Sequence, residues 1–76
     1  MNTFSKVQSI LCERLSLSPR DIVGKSTLTE ELGADSLDRV EVAMDLEEEF
    51  GLMVTDEDAQ SFTTVDSIIQ FLEREV

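Results

Sequence analysis

The sequence predicts an all-α fold: a small four-helix bundle, three longer helices plus one short helix, with a long loop between helices one and two. Three observations predict it. Apolar residues recur at helical spacing in several segments, whereas no segment sustains the alternation of a strand. Cap-type residues and stop signals punctuate the chain where those segments begin and end. At 76 residues the chain is the size of one small domain, read here as residues 1–76, and near the lower limit for a self-sustaining core.

The first helix carries Phe4, Val7, Leu11 and Leu15 on one face with Ile10 beside them, and "SLSPRD" is its exit turn, since Pro19 cannot continue it. Cys12 lies about 100° from the centre of that apolar stripe, a boundary position. The long connection that follows predicts a functional or partly structured loop. Within it Thr27 and Glu30 have capping-box spacing, and Gly33 suits the end of a short helical turn. The second helix starts at Asp35 or Ser36 and ends at Phe50 before Gly51; Asp35 is its N-cap, with Asp38 three positions on. Thr55 and Asp58 cap a short third piece through Ala59 and Phe62. Thr63 and Asp66 repeat that spacing before a last helix, whose inward stripe is Val65, Ile68, Ile69, Leu72 and Val76.

Charge is concentrated in one place. Between residues 30 and 58 twelve acids face a single base, Arg39, so this segment carries the whole net charge of −11 and the rest of the chain is balanced. Such a block repels nucleic acid and anionic membranes and attracts basic protein surfaces, although charge runs are also common on merely solvated helices. No apolar run approaches the roughly 20 residues of a membrane span, and the first ten residues lack the pattern of a signal peptide. A soluble protein of a reducing compartment is expected, with no disulfide from its one cysteine.

The second helix has more apolar surface than one packing face needs. With Leu37 at zero, Val42, Leu46, Phe50 and Ala43 fall between about 140° and 240°, and Val40, Met44 and Leu37 between about 300° and 360°. Two arrangements account for so wide an arc. Either the helix is buried on two sides, or Val42, Ala43, Leu46 and Phe50 are core while Leu37, Val40 and Met44 form a docking patch beside the carboxylates.

Ser36 is a lone hydroxyl among these acids. Nucleophilic catalysis needs a base within reach, and the chain has no histidine and no lysine with a recognisable relation to it. One cysteine and no histidine give no zinc site, and "TDEDAQ" lacks the glycine of a calcium loop, so no specific metal site is expected. Ser36 is then either a helix cap or a point of covalent attachment. A phosphate ester there would lie against free N–H groups at the positive end of the helix.

These residues carry a resemblance. "LGADSLDRVEVAMDLEEEF" closely resembles the central motif of acyl carrier proteins of the dissociated, type II fatty-acid-synthase kind, and length, acidity, helix order and loop extend the likeness over essentially the whole chain. The resemblance implies a non-catalytic carrier. A phosphopantetheinyl transferase (holo-acyl-carrier synthase), using Mg²⁺ and coenzyme A, would attach 4′-phosphopantetheine to Ser36, and the arm's thiol would carry growing acyl chains as thioesters between fatty-acid-synthesis enzymes and acyltransferases. By match of position, Asp35, Leu37, Asp38, Val40, Glu41, Met44, Glu47 and Glu48 would contact the basic docking patches of those partners. A cytoplasmic monomer is implied, with an organellar matrix as the alternative site. A specialised carrier for polyketide, lipid A or other secondary acyl pathways is the alternative function, followed by an unmodified acidic interaction module. Arg39 departs from the acidic pattern, with Asp35 as its candidate helix-surface partner, and Thr55 stands where family members often carry proline.

Overall fold

The structure is a computed structural model that describes residues 2–75. Helix α1 spans Thr3–Leu15, α2 Ser36–Phe50, α3 Asp56–Ser61 and α4 Val65–Glu75, with a 3₁₀ turn at Pro19–Asp21. The expected three longer helices, short helix and long loop are all present. No strand forms among the described residues; a single antiparallel bridge joins Thr27 to Thr64. Val76, expected on the inward stripe of the last helix, lies outside the described residues.

Local chemistry sets each boundary. The Asn2 side chain accepts the Ser5 N–H at 2.8 Å and starts α1, and Ser16, in the left-handed region at φ 57°, ends it. Gln8 of α1 donates its side-chain N–H to the Pro19 carbonyl at 2.8 Å and pins the exit turn. Gly51 closes α2 at φ 65°, its N–H on the Glu47 carbonyl. Thr55 and Asp58 make the expected reciprocal cap of α3, whose last helical residue is Ser61, with Phe62 as C-cap.

Two caps fall one residue from their expected places. Thr27 pairs with Glu31, not Glu30: its hydroxyl accepts the Glu31 N–H at 3.1 Å and the Glu31 carboxylate accepts the Thr27 N–H at 3.0 Å. Before α4 the reciprocal pair is Thr64 and Ser67, not Thr63 and Asp66; Thr64 Oγ1 accepts the Ser67 N–H at 3.2 Å and Ser67 Oγ accepts the Thr64 N–H at 3.1 Å. Asp66 is occupied otherwise, since its N–H reaches the Gly24 carbonyl at 2.9 Å.

That contact belongs to a short seam that ties the long loop to the start of α4. The Leu28 N–H reaches the Thr63 carbonyl and the Val65 N–H the Ser26 carbonyl, at 3.0 and 3.1 Å. The seam draws loop residues into the core. Ile22, Leu28, Leu32 and Ala34 are buried beside Val7 and Leu11 of α1, Val42 and Leu46 of α2, and Val65, Ile68 and Leu72 of α4. Phe71 joins them, a core residue outside the expected stripe, and meets Phe62 edge to face with ring centroids 5.4 Å apart. Phe4, Leu15, Ile10 and Cys12 are half-buried at the margin. α1 packs on α2 and α4, and α3 packs mainly on α2. The N-terminus of α2 is therefore presented at the surface, held from below by the loop and from one side by α3.

Candidate functional site

The candidate site is the first turn of α2 and the helix face that continues from it. Asp35 caps the helix, its Oδ1 accepting the Asp38 N–H at 2.9 Å while Asp38 Oδ2 accepts the Asp35 N–H at 3.1 Å. This reciprocal cap leaves the N–H groups of Ser36 and Leu37 at the helix mouth without an intrahelical partner. Ser36 is the first helical residue, exposed, and its hydroxyl makes no hydrogen bond among the described residues. The cap function belongs to Asp35, so the hydroxyl is released from it.

Burial separates the two apolar arcs of α2. Val42, Ala43 and Leu46 are buried and Phe50 is half-buried, whereas Leu37, Val40 and Met44 are 67%, 46% and 57% exposed. The helix is thus not enclosed on two sides; its second arc is an open apolar stripe running back from Ser36. Glu48 is exposed beside it and makes no hydrogen bond among the described residues.

The other acids of the face are not equally free. Arg14 of α1 forks onto Asp45 at 2.5 and 2.9 Å and reaches Glu41 at 2.9 Å. The arginine hydrogen bond holds the Asp45 carboxyl below its ordinary value of 3.8 against a smaller opposing effect of burial, and the guanidinium is correspondingly held protonated. Glu47 turns toward the fold, its carboxylate accepting the Val54 N–H at 2.8 Å and bracing the α2–α3 connection. No local sequence signal pointed to Arg14, which meets partners 27 and 31 residues away.

A stabilising pair of this kind has a defined pH signature. Asp45 is depressed in the folded state, so its contribution is complete above the unfolded value and is lost as pH falls through the folded one. The melting temperature of Arg14→Gln should lie below that of the parent near pH 7, with the gap shrinking once the pH falls below about 4. A gap that stays constant through that range contradicts the role of the pair.

Arg39 does not bridge to Asp35. It donates from Nη2 to the hydroxyl of Thr29 at 2.8 Å, tying α2 to the loop, and the capping of Asp35 is untouched. The Nε of Arg39 is fully buried and has no hydrogen-bond partner among the described residues. The Arg39 side chain is one wall of a cleft of about 260 Å³ between α2 and α3, lined by Ser36, Arg39, Val40, Asp56, Ala59 and Gln60. No helix among the described residues is long and apolar enough to cross a membrane, and no group of three or more acids and cysteines gathers there in a way that could hold a metal ion.

Residues 5–72 match the family model described as a phosphopantetheine attachment site. An acyl carrier protein of Thermosynechococcus vestitus is 42% identical over 71 residues, covering 93% of this chain and 88% of its own length. An acyl carrier protein of Thermotoga maritima is 41% identical over 73 residues, covering 96% of this chain and 90% of its own. A solved structure of a candidate acyl carrier protein from Mycobacterium tuberculosis superposes with a TM-score of 0.89 over 99% of this chain and 100% of its own; at 24% identity it speaks to the fold.

Proposed function

The chain belongs to the acyl carrier protein family, and from that premise we propose that Ser36 is the residue that bears the arm and that the chain serves fatty-acid synthesis. As a member it is a carrier and not a catalyst, and its prosthetic group is 4′-phosphopantetheine. The observation that carries the proposal is the exposed Ser36 hydroxyl at the mouth of α2, relieved of capping by Asp35. Arg39, three positions on and lining the same cleft, has a buried Nε without a partner among the described residues, and with the free N–H groups of the first turn it fits a phosphate at that place.

During loading the Ser36 oxygen attacks the β-phosphorus of coenzyme A. The bond to the adenosine 3′,5′-bisphosphate leaving group breaks, and the hydroxyl proton passes to a base of the transferase, because this chain holds no histidine. When bound, the arm supplies a terminal thiol that holds acyl groups as thioesters. The chain's own residues position that arm and present it. Leu37, Val40 and Met44 offer apolar anchors, while Asp35, Asp38 and Glu48, with the carboxylates of Glu41 and Glu47 behind them, set the orientation of a basic partner. Such partners include the phosphopantetheinyl transferase and acyl-handling enzymes; the fatty-acid-synthesis set, a monomeric state and a cytoplasmic location are part of the proposal.

The experiment is loading by a phosphopantetheinyl transferase with Mg²⁺ and coenzyme A, followed by malonyl transfer and elongation with fatty-acid-synthesis enzymes. Intact mass should rise by one arm, and the loaded chain should support elongation; no mass gain overturns the reading. Glu48→Lys should keep its circular dichroism spectrum and lower kcat/KM of loading about fivefold at low salt, a gap that closes as salt rises. Unchanged kinetics would place the docking face elsewhere.

A further inference from the structure

We propose that Arg39 is the anchor of the arm's phosphodiester: once Ser36 is loaded, its guanidinium binds the phosphate at the entrance of the α2–α3 cleft. The inference rests on Ser36 as the attachment residue. Three observations carry it. Arg39 is the only base between residues 30 and 58, and it stands three positions after Ser36 on the same helix. Residues so spaced are neighbours, with Cβ atoms about 5–6 Å apart, and helical side chains lean toward the N-terminus, here toward the turn that holds Ser36. Arg39 and Ser36 also border one cleft.

The second observation is the state of the guanidinium. Nη2 is held by Thr29, which fixes the side chain against the loop, while the buried Nε–H has no acceptor among the described residues. A buried donor left unsatisfied is costly, and the cost is removed when an acceptor arrives. A phosphodiester supplies anionic oxygens, and arginine's planar fork matches them better than any other side chain.

The third is the charge around the site. Asp35 and Asp38 flank Ser36, so an added phosphate enters a field of its own sign. The first-turn N–H groups oppose that repulsion in part. Arg39 supplies the one full positive charge within a turn, and pre-positioning by Thr29 keeps it from straying to the carboxylates. In the free chain this arginine is a strut hydrogen-bonded to Thr29 whose buried Nε–H is idle; in the loaded chain it closes on the phosphate.

The test uses the isotopically labelled chain before and after loading, with intact mass confirming one arm. The Arg39 Nε–H resonance should move downfield on loading, and the arm's ³¹P resonance should differ between the parent and Arg39→Gln. Loading should raise the melting temperature by about 2–4 °C more in the parent than in Arg39→Gln, with Arg39→Lys in between. Full mass gain with an unmoved Nε–H and equal thermal responses overturns the anchor and leaves the attachment reading standing. A moved Nε–H with identical ³¹P resonances gives the donor to a carbonyl farther along the arm and also overturns it. Absence of any mass gain overturns both.

Discussion

Ser36→Ala should fold like the parent and take up no arm at all. The hydroxyl makes no hydrogen bond among the described residues, and the reciprocal cap between Asp35 and Asp38 holds the helix start without it. Alanine is a good residue for the first helical turn, so the melting temperature should move by no more than the few degrees that about 0.5 kcal/mol produces in a domain of this size. Loading, by contrast, loses its acceptor oxygen entirely, and no other side chain is presented in the same way at the mouth of α2. Circular dichroism and intact mass on the same sample separate the two effects. A variant that fails to fold would contradict the cap assignment, and one that still gains an arm would contradict the site.

Leu46→Ala should have the largest effect on stability. Leu46 is fully buried in the centre of the α2 face that meets α1 and the loop. Truncating a buried leucine costs about 2–5 kcal/mol, part of it lost transfer energy and part the cavity left behind. For a domain of this size a loss of about 3 kcal/mol lowers the melting temperature by roughly 10–20 °C. Leu37→Ala is the matched control, since the same chemical change at a side chain 67% exposed should cost under about 0.5 kcal/mol. Equal losses at the two positions would mean that α2 is packed on both sides after all. The expected contrast makes one helix serve two purposes, a core face and an open face.

How far the sequence disclosed this depends on the range of each interaction. The cap of α2 was readable because Asp35 and Asp38 lie three positions apart and both partners are of one kind. The same rule missed by one residue at Thr27, where Glu30 and Glu31 offer two carboxylates in succession, and at α4, where Thr63 and Thr64 offer two hydroxyls. Only tertiary contacts choose between such neighbours: the seam from Gly24, Ser26 and Leu28 to Thr63, Val65 and Asp66 sets both registers. The loop core went unread for a related reason. Ile22, Leu28, Leu32 and Ala34 lie in a segment without a sustained helical or strand period, too short a pattern to mark them as buried.

At the site, periodicity revealed that α2 had surplus apolar surface but not which arc was open, because both arcs are apolar and α3 could have covered either. Burial of Val42, Ala43 and Leu46 with exposure of Leu37, Val40 and Met44 answers that. The acids could be counted but not ranked. Glu48 stands free, whereas Glu41 and Asp45 share Arg14, and Glu47 supports the Val54 backbone. Arg39 had Asp35 as a local candidate, yet Thr29, ten residues back in the loop, holds it instead. Each of these partners is brought up by the fold and not by the helix.

The proposed link between the arm and this chain is the side-chain oxygen of Ser36. Fragmentation of the loaded parent chain by tandem mass spectrometry tests it most directly. The whole added mass is expected on the fragment containing Ser36 and none elsewhere. An arm located on another hydroxyl, such as that of Ser26 or Thr29, would contradict it.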